Sequence, residues 1–281
     1  MLFDSHAHIN EDRYTPEQRQ AMIDGIEANE LLGFVADIGY DYPSSVQAAK
    51  DAAENEFICA AVGVHPHDAK SMTEEIYQGI RELSRGVRVS AIGEIGLDYH
   101  YMRSEKSDQR YWFRRQIRLA NELRMPIVVH SREADRETMD ILVEEGAFSD
   151  ERKSWFPERK SHLSDARRLI TVPDARVDIH CFSGSAELGK EYVKLGATLG
   201  ICGPLTYNNN KKTVKVVQEV PIEYLMVETD TPYLTPVPLR GKPNQPWYVE
   251  YTARKLAEIK GISFEEAADI TFQNAKNFYG L

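Results

Sequence analysis

His6 and His8 stand two residues apart just after the apolar run that opens the chain, and four more potential metal ligands follow later apolar runs. Glu94 comes after residues 87–93, His130 after 126–129, His180 after 177–179 and Asp230 after 225–229. Four imidazoles and two carboxylates are a donor set for one or two divalent cations, and such cations activate water for hydrolysis. On a strand, the spacing of His6-Ala7-His8 puts both rings on one face, so both can reach one ion. Glu94 sits in Gly93-Glu94-Ile95-Gly96, where glycine lets the backbone pass close to a ligand, and a buried glutamate is rare unless it is paired or ligating. Each residue also has an ordinary reading: a chance H-x-H pair, core histidines at 130 and 180, a turn or cap at Asp230. What argues for a common site is that all of them fall at strand ends.

Eight short runs have strand character: 2–5, 34–39, 57–64, 87–93, 126–129, 177–179, 197–201 and 225–229. Most are continuously apolar rather than alternating, as parallel strands buried on both faces are. Between them lie segments of helical period. Thr15-Pro16-Glu17-Gln18 is a capping box with proline at the first helical position, and Ser263-Phe264-Glu265-Glu266 is a second one, opening a helix through Phe278 that stops at Gly280. Residues 111–123 place Phe113, Ile117, Ala120 and Leu123 on one face and arginines on the other. This alternation predicts an α/β protein, a single (β/α)8 TIM barrel over residues 1–281, whose strand carboxyl ends would carry the ligands. A doubly wound open sheet is the competing topology, but no glycine-rich phosphate loop follows the first strand. Residues 147–176 form one elaborated connection, far longer than the usual 2–6 residues. It follows a helix and precedes a strand, so the barrel topology puts it on the amino-terminal face, as a surface elaboration or oligomer contact.

The longest apolar runs reach about eight residues, too short for a membrane span of roughly 20, and the first residues lack a signal-peptide pattern. Cys59, Cys181 and Cys202 each lie in an apolar stretch, which predicts reduced packing thiols and a cytoplasmic protein. A formal net charge of −10 argues against diffuse attraction to a polyanion.

Asp4-Ser5-His6-Ala7-His8, Val62-Gly63-Val64-His65-Pro66-His67, Gly93-Glu94-Ile95-Gly96-Leu97-Asp98-Tyr99, Val129-His130-Ser131-Arg132, His180-Cys181-Phe182-Ser183-Gly184 and Glu228-Thr229-Asp230-Thr231-Pro232-Tyr233-Leu234 together resemble the TatD-like metal-dependent deoxyribonucleases of the amidohydrolase superfamily. Arg240-Gly241-Lys242-Pro243-Asn244 resembles the loop after that family's last strand, with Gln245 where a glutamate usually follows. The likeness runs from residue 2 to about 279, interrupted by 147–176. It implies two divalent ions (Mg, Mn or Zn): one held by His6, His8, Glu94 and Asp230, the other by Glu94, His130 and His180, with Glu94 bridging. It also implies that Asp230 takes a proton from the attacking water, whose pKa the metal lowers towards roughly 7–9. His65 ends the third strand on the same face and is expected to contact substrate or orient a ligand. Glu228 and Arg132 are expected close by, either in that role or in ordinary salt bridges.

The implied substrate is a DNA end, single-stranded or frayed, cut in an exonuclease-like manner. Two divalent ions against Glu94 and Asp230 leave a pocket of about +2. Lys211 and Lys212 follow the seventh strand and Arg240 and Lys242 the eighth, where barrels often bind phosphate. Tyr207, Tyr233 and Trp247 lie nearby as candidates for base stacking. The alternative readings are a metal-dependent hydrolase of a small or aminoacyl ester or amide, and a non-catalytic barrel used for binding.

Overall fold

The structure is a computed structural model that describes residues 1–160, 171–172 and 174–281. Its strands are β1 (Leu2–Ala7), β2 (Leu32–Ile38), β3 (Ile58–Val62), β4 (Val89–Asp98), β5 (Ile127–Arg132), a two-residue pair β6 (Arg159–Lys160) and β7 (Thr171–Val172), then β8 (Val177–Ile179), β9 (Thr198–Ile201) and β10 (Leu225–Val227). The α-helices are α1 (Pro16–Glu27), α2 (Tyr42–Glu54), α3 (Glu74–Leu83), α4 (Lys106–Leu123), α5 (Asp135–Glu144), α6 (Asp150–Ser154), α7 (Ala186–Leu195), α8 (Lys211–Glu219), α9 (Val249–Lys260) and α10 (Phe264–Tyr279). Eight parallel strands run in the order β1-β2-β3-β4-β5-β8-β9-β10. The Ala7–Thr231 bridge joins the two ends of that series, so the sheet is a TIM barrel with helices outside it.

Local sequence accounts for most boundaries. Thr15 accepts from Gln18 N at 3.3 Å and the Gln18 amide oxygen accepts from Thr15 N at 2.9 Å, so the predicted capping box forms in full. Ser263 caps Glu266 N at 3.0 Å, and Gly280, at φ 73°, ends α10 in the left-handed conformation that glycine tolerates. α4 starts at Lys106, five residues before its apolar period does. Its first turn is polar, and Asp108 there suits the positive end of the helix dipole. β4 runs on to Asp98 instead of stopping at Gly93, so Glu94 lies within the strand rather than after it. Gly96 is what this path needs. Its φ is 150°, and a Cβ would collide with the His130 carbonyl on β5. The close approach expected of these glycines is therefore to the neighbouring strand, not to a ligand.

Two glutamines on α4 set the upper ends of β3 and β4. Gln116 is fully buried; its Oε1 accepts from Val64 N at 2.8 Å and its Nε2 donates to Val64 O at 3.1 Å. Gln109, two turns earlier, does the same for Asp98, at 2.8 and 3.1 Å. Each side-chain amide replaces a missing neighbour strand and satisfies backbone that burial would otherwise leave unpaired. At the opposite end, Arg152 and Arg159 tie the described part of the 147–176 connection under the barrel. Arg152 donates to the carbonyls of Met125, Ala175 and Arg176, just before β5 and β8, and to Asn121 Oδ1. Arg159 donates to Glu223 O, Asp174 Oδ1 and Thr198 Oγ1, beside β9 and β10. Residues 161–170 and 173 of that connection lie outside the described residues.

Candidate metal centre

The seam of the barrel assembles the first part of the site. Asp230 N donates to His6 O and His8 N to Thr231 O, both at 2.9 Å, while Asp4 closes the seam below by accepting from Thr229 N at 2.8 Å. The ends of β1 and β10 thereby bring three candidate ligands together: His6, His8 and Asp230. His8 Nδ1 lies 2.8 Å from the Ile38 carbonyl, so that nitrogen carries a proton and Nε2 is the one turned to the interior of the site. His8 Nε2 is 3.4 Å from Asp230 Oδ1. Burial opposes protonation of His8, but the hydrogen bond and charge of Asp230, with Glu94, raise its pKa to about 9.

Glu94 is the common neighbour. Oε2 lies 3.6 Å from His6 Nε2 and 3.8 Å from His8 Nε2, and Oε1 lies 3.8 Å from His180 Nε2 and 2.8 Å from His130 Nδ1. Burial alone would raise its pKa; the surrounding imidazoles of His65, His130, His180 and His6 instead hold it well below the ordinary range, as a carboxylate. His6 is driven the other way, its pKa lowered by burial and by the His180 ring stacked on it at 3.5 Å.

The outer partners are carboxylates. Glu228, fully buried, lies 2.9 Å from His180 Nδ1 and accepts from Cys181 N at 2.7 Å and Cys202 Sγ at 3.0 Å. Despite burial, the adjacent His180 lowers its pKa to about 2. Asp98 takes four hydrogen bonds. Oδ2 lies 3.2 Å from His130 Nε2 and 3.0 Å from His67 Nε2, and Oδ1 accepts from the backbone of His100 at 3.0 Å and Tyr101 at 2.8 Å. A histidine held by a carboxylate on one nitrogen presents the other to a metal, so Glu228 and Asp98 fix the aim of His180 and His130.

The fit to a cation rests on His6. It is fully buried, and neither ring nitrogen has a hydrogen-bond partner among the described residues, a costly state for a polar group. Its Nε2 faces Glu94 at a separation suited to co-ligands, not to a hydrogen bond. Two donors about 2.1 Å from one ion stand roughly 3.0–3.5 Å apart. The spacings of 3.4–3.8 Å around Glu94 and Asp230 come within a few tenths of an ångström of that. His65 behaves differently. Its Nδ1 accepts from His67 N at 3.0 Å, so the proton sits on Nε2, which points at Glu94 Oε1 from 3.8 Å. The Nδ1 lone pair is thus taken up by His67 N, although His65 also stands close enough to Glu94 and His130 for the three to hold an ion.

A family model, the TatD-related DNases, matches residues 3–280. The chain belongs to that family. It is a metal-dependent hydrolase, similar at 42% identity over the full length of both chains to the uncharacterized metal-dependent hydrolase YabD of Bacillus subtilis. It is 32% identical, over 86% of this chain and 85% of that one, to a Rahnella protein named 3′-5′ ssDNA/RNA exonuclease TatD. Among solved structures, the TatD homologue YJJV of Escherichia coli K12 covers 100% of this chain and 98% of its own at TM-score 0.82 and 21% identity. A TatD-family hydrolase of Entamoeba histolytica covers 99% and 97% at TM-score 0.79 and 20% identity. These two share the barrel.

In this TatD-family barrel the sequence-level candidates separate. His6, His8, Glu94, His130, His180 and Asp230 converge, with His65 beside them. Arg132 is exposed and makes no salt bridge among the described residues; its guanidinium lies 4.5 Å from the Tyr101 ring centre. Lys211 and Lys212 open α8 as exposed residues, and neither they nor Lys242 make a side-chain hydrogen bond or ion pair among the described residues. Arg240 sits 4.2 Å over Tyr207. Trp247 does not face the site: it packs against Gly25 of α1. Tyr233 remains exposed at its rim, with its hydroxyl bonded to Glu11. Sequence reasoning assigned no role to Asp98 or His67. The period of two in Glu94-Ile95-Gly96-Leu97-Asp98 was the available signal, because it puts a second carboxylate on the face of Glu94 once the strand continues.

Proposed function

We propose that this TatD-family hydrolase is a nuclease that removes nucleotides from an end of single-stranded or frayed DNA by attack of water on the phosphodiester. The observation that supports it most is the fully buried His6 with both ring nitrogens unpartnered among the described residues, set against Glu94, His180, His8 and Asp230. The Rahnella relative's name adds the substrate class. We assign His6, His8, Glu94 and Asp230 to one divalent ion, and Glu94, His130 and His180 to a second. Bound there, the ions supply the charge that lowers the pKa of water and offsets developing charge on phosphate oxygens. Asp230, more open than the other carboxylates of the site, takes the proton of the attacking water. Glu228 and Asp98 keep His180 and His130 aimed, and the Nε2–H of His65 donates to a substrate oxygen or to Glu94. Arg132, Lys211, Lys212, Arg240 and Lys242 are the cations available to the rest of the strand. Among the described residues no helix is long and apolar enough to cross a membrane. The three unpaired cysteines suit a reducing compartment, and the reading puts the protein in the cytoplasm.

The test is digestion of end-labelled single- and double-stranded DNA by metal-stripped protein with Mg²⁺, Mn²⁺ or Zn²⁺ restored. Stepwise shortening of the single strand is expected. Cleavage of small esters or amides with no DNA hydrolysis under any metal would overturn the nuclease reading in favour of a small-ester or amide hydrolase.

A further inference from the structure

Tyr101 stands where the loop after β4 leaves the metal centre. The residue is 51% exposed, a large apolar surface left open to solvent. The Arg132 guanidinium lies 4.5 Å from the ring centre and that of Arg103 5.6 Å. Neither arginine has an ion pair or side-chain hydrogen bond among the described residues, whereas those along α4 are taken up by glutamates: Arg114 by Glu144 and Glu145, Arg115 by Glu74, Arg118 by Glu145. The two cations at the mouth are therefore left for an external anion. The ring is also tied to the chemistry. Its backbone N–H and that of His100 bond to Asp98 Oδ1, while Oδ2 of the same carboxylate meets His130 and His67. The His67 ring meets the Tyr101 ring edge-on at 5.5 Å. One buried carboxylate thus sets the distance between an exposed aromatic ring and a ligand histidine.

Resting on the nuclease reading, we propose that Tyr101 and Arg132 form the subsite for the nucleotide next to the scissile one, the ring stacking on an unpaired base and the guanidinium holding its phosphate. The nucleotide next to the scissile one then lies on the β4–β5 rim, which leaves the Lys211–Lys212 and Arg240–Lys242 rim to more distant phosphates. Paired bases cannot open a face to the ring, so the subsite selects single strands.

The experiment measures kcat/KM of the metal-loaded protein on single-stranded oligonucleotides carrying one abasic nucleotide, moved through the first few positions from either end. A small chromogenic phosphodiester serves as the reference substrate. At one position the abasic change is expected to cost the wild type about 5- to 150-fold, the range for one stacked base. Tyr101→Ala should lose a similar factor on the intact oligonucleotide, beyond any loss on the small diester, and should then be insensitive to the abasic change at that position. Tyr101→Phe should retain most of the activity. Arg132→Ala should reduce the slope of log KM against log salt by about 0.7, one phosphate contact on a single strand. Wild-type kinetics in Tyr101→Ala, a full abasic penalty that persists in it, or an equal loss in Tyr101→Phe would each overturn the subsite while leaving the nuclease reading intact. Hydrolysis of the small diester by wild type with no degradation of any oligonucleotide would overturn that reading and the subsite with it.

Discussion

Arg152 and His6 are both fully buried, one under the amino ends of the strands and the other at their carboxyl ends, and their surroundings treat their polar atoms oppositely. Arg152 donates from Nε, Nη1 and Nη2 to three backbone carbonyls and an asparagine oxygen, at 2.7–3.3 Å. Burial still lowers its pKa to about 9, but the acceptors around it make it a staple between the strand ends. His6 has no hydrogen-bond partner on either nitrogen among the described residues. A buried group with every nitrogen hydrogen-bonded is explained by the fold. A buried group with none, facing a carboxylate and two further imidazoles, is explained by something that binds there.

That contrast predicts where damage appears. Chelation should reduce hydrolysis to below about 1% of its starting rate, with recovery on adding a divalent ion, because the water-activating charge is lost. Glu94→Ala should lower metal content measured by elemental analysis, since Glu94 contacts both halves of the site. Full activity in protein verified to be metal-free would erase the functional side of the comparison.

Asp230→Asn should cost at least about 10²-fold in turnover while metal content is largely kept, because an amide oxygen can still ligate but cannot accept a proton. Near-normal turnover would move the base elsewhere in the site.

At the other end, Arg152→Ala should destabilise the protein by about 2–4 kcal/mol in chemical denaturation, since it strands buried carbonyls that now accept charged hydrogen bonds. Its metal content and turnover per folded molecule should stay within a few-fold of wild type. A selective loss of turnover would mean that the amino end communicates with the chemistry.

Reversing Arg240 and Lys242 to Glu should raise KM for DNA and flatten its salt dependence, by a larger factor than any change on a small phosphodiester. An unchanged salt slope would remove these residues from the binding surface. The smallest effect is expected from replacing residues 161–170 with a short Gly/Ser linker, which spares Arg152 and Arg159: turnover within a few-fold. Replacing all of 149–169 would instead remove both arginines and lower stability.

The six residues that converge at the centre were legible because each sits at or near the end of a short apolar run, and such runs reveal buried parallel strands. Both capping boxes were legible for the same local reason. The upper part of β4 was not. Its residues after Gly93 alternate between glycine, apolar and acidic types, and only pairing with β5 makes them a strand. The start of α4 was hidden because polar first turns carry no apolar period. The stacking candidates were misjudged at Trp247, since an aromatic residue reads alike whether it faces a groove or packs on a helix.

By itself, then, the sequence determined the alternating barrel, the donor set and the faces on which the histidines stand, all consequences of spacing within single elements. The tertiary structure alone decided which nitrogen of each imidazole faces the centre. His8 is oriented by the carbonyl of Ile38, His130 by Asp98 and His180 by Glu228, partners 30 to 48 residues away in the chain. Hydrogen-bond direction across such separations is set by how closed strands pack against one another, and no local pattern encodes it.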